Sequence, residues 1–204
     1  MPKWPLSDDD LRAMYAGGRA NAAAKWFARL WGAVFASGVF PRRWVALEVP
    51  GRRTGNLQRV PVGLADVDGR WYLVSMLGEC NWVKNARANG DRVVLRHGAP
   101  IECALVEVPP TSRGRILQRY VDVAPGGRPH IPVPRGASIA AFDAVAAGYP
   151  VFEVHRVGTD GTTSPLRPPR SWLPLALGGV CLAAAVVAGV RRAFGRGGCT
   201  CRVR

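Results

Sequence analysis

The chain has 204 residues, of which 48% are apolar, and it carries a formal net charge of +14. This length allows one buried core and little more. The sequence contains no helix-turn-helix, zinc finger or aromatic-basic platform for single strands, so nucleic acid is not expected as a partner. The positive charge favours another anion, either a lipid surface or a polyanionic cofactor.

Residues 1–40 are predicted to form an N-terminal helical segment. Ser7 lies three residues before Asp10, the spacing of a capping box, and this predicts a short helix to about Ala16. A second helix is expected from about Asn21 to Ser37. Its apolar residues share one narrow aromatic face, which we expect to pack against the rest of the chain or, alternatively, to lie on a membrane surface. The residues of this face are Trp26, Phe27, Leu30, Trp31, Val34 and Phe35.

Residues 41–157 are predicted to form the main domain. Six short alternating strands with helices between them favour an α+β fold, a mostly antiparallel split β-barrel with peripheral helices. A parallel sheet would need regular crossover helices, which the sequence does not show. The strands are expected at about 43–49, 57–66, 70–76, 92–97, 100–108 and 151–157, and the helices near 81–88, 110–120 and 136–147.

The C-terminal part is predicted to leave this domain. Residues 158–171 have the Gly and Pro content of a linker. The nineteen residues 172–190 carry no charge and would span roughly 28 Å as a helix, so we expect a transmembrane helix there and a basic tail over 191–204. Because the N-terminus is acidic where an export signal is basic, we expect the main domain on the cytoplasmic side of the cell membrane. The arginines of the tail favour the cytoplasmic side for the tail as well. A single transmembrane helix would place the main domain and the tail on opposite sides, so these two expectations conflict.

Residue types that carry hydrolytic or metal chemistry do not form a motif. The five cysteines include no C-x-x-C pair, so no metal site is expected. The histidines have no neighbour that would orient them in a catalytic triad. A G-x-G-x-x-G loop is also missing, which argues against a Rossmann nucleotide site. The cysteines are Cys80, Cys103, Cys181, Cys199 and Cys201, and the histidines are His97, His130 and His155.

The turn Gly51-Arg52-Arg53-Thr54-Gly55 is a candidate anion site. Its glycines permit a positive φ at either end, which would expose backbone N–H groups beside two guanidinium groups and a hydroxyl. Such a turn suits a phosphate or a carboxylate. A solvated hairpin turn with two arginines has the same sequence, so the turn alone does not separate these interpretations.

Three further segments follow this turn in a characteristic order. They are the Arg59–Pro61 pair, the loop Ser75-Met76-Leu77-Gly78 and the helical segment Asn81–Asn89, NWVKNARAN. Together with the turn, over roughly residues 20–157, they resemble the family of deazaflavin (coenzyme F420)-dependent nitroreductases and quinone reductases. The sequence departs from the family pattern in the loop, where Leu77-Gly78 replaces a Gly-Gly pair. It also lacks the tyrosine-rich substrate segment.

The resemblance implies a split β-barrel enzyme that transfers a hydride from reduced F420 to a quinone or nitroaromatic acceptor. The cofactor would supply the chemistry, so no protein acid or base is implied. Two other interpretations stay open, an FMN-dependent oxidoreductase of the same fold and a non-enzymatic module that holds a cofactor or lipid at the membrane. The implied cofactor-binding residues are Arg52, Arg53, Thr54, Gly55, Arg59, Pro61, Ser75, Met76, Leu77, Gly78, Trp82 and Asn85.

The long Pro- and Gly-rich segment 120–134 is a candidate lid. Loops of this length tend to be functional or disordered. We expect Tyr120 and His130 to face an acceptor pocket. The sequence does not indicate an oligomeric state.

Overall fold

A computed structural model describes residues 7–15 and 21–169. In this part of the chain, two N-terminal helices precede a sheet of short strands with helices inserted between them. Every predicted strand is present within two residues of its expected bounds. The elements are α1 (Asp8–Ala13), α2 (Ala22–Ala36), β1 (Trp44–Pro50), β2 (Leu57–Val67), β3 (Arg70–Val74), α3 (Asn81–Ala88), β4 (Arg92–His97), β5 (Ala99–Glu107), α4 (Gly114–Val123), α5 (Ile139–Val145), β6 (Val151–Val157) and β7 (Thr163–Pro165).

The six predicted strands form an antiparallel barrel. Their order is β3-β2-β1-β4-β5-β6, and β3 also pairs with β6, which closes the sheet on itself. The β1–β2 ladder runs from Trp44 opposite Gly63 to Pro50 opposite Leu57. The predicted split β-barrel with peripheral helices is therefore confirmed, whereas its predicted transmembrane helix falls outside the described residues.

Side-chain alternation along the strands separates the barrel interior from its outer surface. On β1, Val45, Leu47 and Val49 point inward, and on β2 the even-numbered residues from Val60 to Leu64 do so. Helix α3 closes one end of this interior with three of its residues. Those residues are Trp82, Val83 and Ala86.

The two ends of the barrel carry different loops. The turn between β1 and β2, the loop after β3 and the start of α3 meet at one end, which we call the turn end. The opposite end carries the β2–β3 and β4–β5 turns, and we call it the far end. Antiparallel pairing of adjacent strands fixes this arrangement.

Helices cover the outer surface on two sides. Helices α4 and α5 bury a second apolar cluster that includes Leu117, Phe142 and Val151. Helix α2 packs on β1 and β2, where the Phe35 and Trp44 rings lie 5.4 Å apart between centroids. Phe35 is buried, so the predicted packing of this aromatic face against the barrel is confirmed there, whereas Trp26, which was assigned to the same face, is 51% exposed.

Strand β7 lies inside the segment predicted as a linker. It pairs with β6, and the chain then places Leu166 in the seam between β3 and β6. The Leu166 N–H donates to the Val154 carbonyl at 2.8 Å, and the Trp71 N–H donates to the Leu166 carbonyl at 3.1 Å. The ordered barrel therefore extends beyond the predicted boundary at residue 157. The Pro-rich composition hides this short strand from sequence analysis.

Within residues 7–15 and 21–169, no helix has both the length and the apolar character that a bilayer crossing requires. The predicted transmembrane helix over 172–190 and the basic tail over 191–204 lie outside the described residues.

Candidate functional site

A cleft of about 310 Å³ opens at the turn end of the barrel. Three elements form its walls: the β1–β2 turn, the first residues of β2 and the first turns of α3. The walls are polar apart from one indole and one valine. The lining residues are Gly51, Arg52, Arg53, Thr54, Gln58, Val60, Asn81, Trp82 and Asn85.

The β1–β2 turn is held in a tight, defined shape. The Thr54 and Gly55 N–H groups both donate to the Gly51 carbonyl, at 3.2 and 2.7 Å. Gly55 has the expected positive φ of 69°. Gly51 has no positive φ, but a β-carbon there would lie 3.2 Å from Thr54 Oγ1, so close packing explains this glycine. The turn therefore presents Arg52 and Arg53 from a rigid frame.

Arg52 is held against α3 by hydrogen bonds to two asparagine side chains of that helix. Its guanidinium donates to Asn85 Oδ1 at 2.9 Å and to Asn81 Oδ1 at 3.4 Å, and its backbone N–H also donates to Asn85 Oδ1. Asn85 is buried, at 6% exposure, so its oxygen depends on Arg52 for these bonds. These contacts join the turn and the helix into one wall of the cleft.

The remaining groups at the cleft are free to meet an anion. In the described part of the chain, no side chain pairs with the exposed Arg53 guanidinium. Helix α3 begins at Cys80 without a side-chain cap, so the N–H groups of its first turn are open. A helix N-terminus and two guanidinium groups around one cleft favour a phosphate or a carboxylate.

Arg59 and Pro61 do not lie with these residues. Both are odd-numbered positions of β2, so they face the outer surface under α2, whereas Gln58 and Val60 face the cleft. The Arg59 Nε donates to Glu48 Oε1 at 2.7 Å. The resemblance to the family predicted both residues at the cofactor site, because motif spacing does not show which face of a strand a side chain occupies.

The loop from Ser75 to Gly78 leads into α3 but does not line the cleft. The Ser75 hydroxyl donates to the Gly78 carbonyl at 2.6 Å and lies 3.3 Å from Cys80 Sγ. Gly78 has a φ of 63°, and a β-carbon there would approach the Gly148 carbonyl at 3.1 Å. The loop fixes where the open end of α3 begins, so its contribution to the site is positional.

Tyr120 and His130 lie on the other side of this loop, away from the cleft. The Tyr120 hydroxyl donates to Met76 Sδ at 3.6 Å within the second apolar cluster, where burial raises the pKa of the phenol. The His130 ring meets the Tyr15 ring edge to face at 5.4 Å, and its buried Nε2 has no hydrogen-bond partner among the described residues. Burial, and secondarily Arg12, lower the pKa of His130. The predicted acceptor pocket with these two residues is not part of the cleft.

Three lining residues escaped the sequence analysis. Gln58 and Val60 could have been found from the alternation of β2, because they share a face and follow the arginine turn directly. Asn81 begins α3 one turn before Asn85, so helical spacing places both amides toward Arg52.

The cleft fits the anionic part of a deazaflavin cofactor. Its arginines and helix N-terminus suit a phosphate and carboxylates, and Trp82 offers an apolar wall. Among the residues that line it there is no carboxylate, histidine or cysteine. The residues that the structure describes contain no group of three such side chains able to hold a metal ion.

Comparison with known structures gives remote likenesses. A structure named F420-H2 dependent reductase (FDR-A) is 18% identical, with 55% of this chain and 94% of that chain covered and a TM-score of 0.37. A structure named F420 reductase is 14% identical, with 61% and 94% covered and a TM-score of 0.37. A FAD-binding protein from Mesorhizobium loti is 20% identical, with 60% and 86% covered and a TM-score of 0.36. No curated protein matches the chain.

The sequence model of the F420H(2)-dependent quinone reductase family matches residues 28–130, half of the chain. This range contains α2 from its second turn, the arginine turn, the loop after β3 and all of α3. The chain belongs to the F420H2-dependent quinone reductase family, and it is an oxidoreductase that uses coenzyme F420.

Proposed function

We propose that this protein reduces a quinone at the membrane with a hydride taken from reduced coenzyme F420. The observation that carries the proposal is the cleft at the turn end, where two arginines and the open N-terminus of α3 converge. It lies within the range that matches a family of F420H2-dependent quinone reductases. Of the two acceptors expected from sequence, the family favours the quinone.

Each group in the cleft would make a different contact with the bound cofactor. Arg53, with no partner in the described chain, would pair with a phosphate or carboxylate of the cofactor. Arg52 would do so from a fixed position, because Asn85 and Asn81 already orient its guanidinium. The N–H groups of the first turn of α3 would add neutral donors to the same anion.

The side chains of the cleft do not offer an acid or a base at neutral pH. Its polar lining consists of arginine, threonine, glutamine and asparagine. When bound, F420 supplies two-electron hydride chemistry, which needs no protein base. The role of this chain is therefore to hold the cofactor, orient it and give the acceptor access.

Attachment to the membrane is part of the proposal. Residues 172–190 lie outside the described structure, but their uncharged sequence has the length of a bilayer span. We expect this segment to anchor the chain with the barrel on the cytoplasmic side. An anchor would raise the concentration of a bilayer-resident quinone near the cleft.

The test is an anaerobic turnover assay with reduced F420 and a menaquinone analogue in detergent. We expect the absorbance of oxidised F420 to recover while one quinol forms for each F420H2 that is oxidised. Reduced FMN in a parallel reaction should be a poor donor, and a nitroaromatic in place of the quinone tests the second acceptor. Tight binding of F420H2 without its oxidation in the presence of any quinone would refute the proposed acceptor.

A further inference from the structure

Helix α2 has an outer face that the barrel does not cover. Its inner side is buried at Ala24 and Phe35. On the opposite side the helix exposes a stripe with helical spacing, which we call the α2 outer face and which consists of Lys25, Trp26, Arg29 and Ala33. The Trp26 side chain is 51% exposed, among the most exposed large apolar residues of the described chain.

The charge of this region is predominantly positive. Between Asp10 and Glu48 the sequence contains six arginines and lysines and no acidic residue. Two of the six are paired in the fold, Arg12 with Asp9 and Arg43 with Asp66. Glu48 itself is buried at 3% exposure under two arginines, so it does not offset the positive surface. Val39 at 45% exposure and the exposed Arg42 continue the same mixture of apolar and basic side chains beyond the helix.

The position of α2 relates this face to the cleft. The C-terminus of α2 lies at the far end, where the Gly98 N–H donates to the Ala36 carbonyl at 2.8 Å. One turn earlier, Gly32 packs against the Arg59 side chain, nearer the turn end. The N-terminal half of α2, with Lys25 and Trp26, therefore points toward the end of the barrel that carries the cleft.

We infer that the α2 outer face binds an anionic lipid surface and turns the cleft toward the bilayer. An indole flanked by basic residues is suited to the level of the lipid headgroups. Each lysine or arginine beside an anionic leaflet adds electrostatic attraction that salt screens. The further idea that a quinone reaches the cleft from this bilayer rests on the proposed function, whereas lipid binding by the face does not.

The experiment uses the full chain and vesicles whose acyl chains are brominated, because bromine quenches a tryptophan that enters the interface. Phosphatidylcholine vesicles with and without phosphatidylglycerol are compared. With anionic vesicles we expect quenching that the Trp26→Phe variant has lost in part. Equal quenching of the parent and of Trp26→Phe would overturn the inference, because the quenched tryptophans would then lie elsewhere.

A charge-reversal pair tests the electrostatic part. We expect Lys25→Glu/Arg29→Glu to remove most of the additional Trp26 quenching that phosphatidylglycerol produces at low salt, a readout that does not depend on how residues 172–190 hold the chain. The matched control is Arg92→Glu/Arg156→Glu, which changes the net charge equally at exposed positions of β4 and β6. An equal loss in both pairs would indicate a general charge effect and would overturn the assignment to α2.

The assay separates this inference from the proposed function. Lys25→Glu/Arg29→Glu should keep its turnover with a water-soluble quinone in detergent, since neither residue lines the cleft. If Trp26-dependent quenching is observed but no quinone is reduced, lipid binding by the α2 outer face is supported and the proposed acceptor is rejected. If quinone is reduced but quenching depends on neither Trp26 nor the charge pair, the proposed acceptor is supported and lipid binding by this face is rejected.

Discussion

The carboxylate of Glu48 gives the sharpest test of how the barrel is stabilised. It is 3% exposed on the outer surface of β1, beneath α2. Its Oε1 accepts from Arg59 Nε at 2.7 Å and from Arg96 Nε at 3.0 Å, and its Oε2 accepts from Arg96 Nη2 at 3.1 Å. We consider the substitution Glu48→Gln, which keeps the shape and removes the charge.

The magnitude follows from the burial of the three partners. Removing one member of a fully buried ion pair costs about 3–5 kcal/mol. Here the Arg59 and Arg96 side chains remain 43% and 32% exposed, so both can regain water when the carboxylate is lost. We therefore expect a smaller decrease in the free energy of unfolding, about 2–3 kcal/mol. In a chain of this size that corresponds to a decrease in Tm of about 5–10 °C.

Thermal unfolding followed by circular dichroism provides the assay, with Glu102→Gln as the matched control. Glu102 lies exposed on β5, opposite Val94 of β4, and its substitution should leave the Tm almost unchanged. A shift for Glu48→Gln no larger than that of the control would refute the reasoning, because the ion pairs would then contribute no net stability.

The pH dependence supplies an independent check. Hydrogen bonds from Arg96, and then from Arg59, hold the pKa of Glu48 below its ordinary value of 4.5 in spite of burial. A carboxylate with a depressed pKa contributes its full stability above the ordinary value and loses it as the pH falls through the depressed one. The difference in Tm between the parent and Glu48→Gln should therefore be largest near neutral pH and shrink below pH 4.5.

Three further outcomes are expected. Arg53→Ala should weaken F420 binding by about tenfold to a hundredfold with little change in Tm, whereas Arg52→Ala should weaken binding and also lower the Tm. A fluorescence titration measures the affinity of each variant, and a thermal melt measures its stability. Leu166→Ala should destabilise the chain by about 1–2 kcal/mol in urea, because it vacates the barrel seam, while Leu57→Ala at an exposed position should not. His130→Phe should remove a loss of stability below pH 6.5, since burial lowers the pKa of this histidine and the unfolded chain takes up the proton first; identical pH profiles would contradict this assignment.

The order of the elements could be predicted because each strand alternates clearly and each turn carries its own residues. Asn81–Ala88 was predicted to within its observed bounds, and the Ser7–Asp10 capping box is present with both of its hydrogen bonds. Helix α4 begins later than expected, at Gly114, because Pro110–Ser112 form a separate short 3₁₀ helix. Local signals of this kind act over a few residues, and the sequence carries them directly.

The composition of the candidate site was harder to predict, because it depends on contacts between distant elements. The sequence pattern groups Arg52, Arg53 and Asn85, and in the structure all three line the cleft, with Arg52 bonded to the Asn85 side chain. It also placed Arg59 there, although one residue along a strand reverses the direction of a side chain. Tyr120 was expected at a pocket, but only the packing of α4 on the barrel shows that its ring lies in a core cluster.

The strand that follows the predicted domain boundary has a consequence for how this protein can be shortened. A chain cut near residue 160 would retain every predicted strand and the whole cleft. It would, however, leave the Trp71 N–H and the Val154 carbonyl without the partners that Leu166 provides, at a seam lined with apolar side chains. Exposed strand edges of this kind pair readily with other chains. The shortened protein would self-associate through this seam, and a version that ends after Pro169 would avoid this.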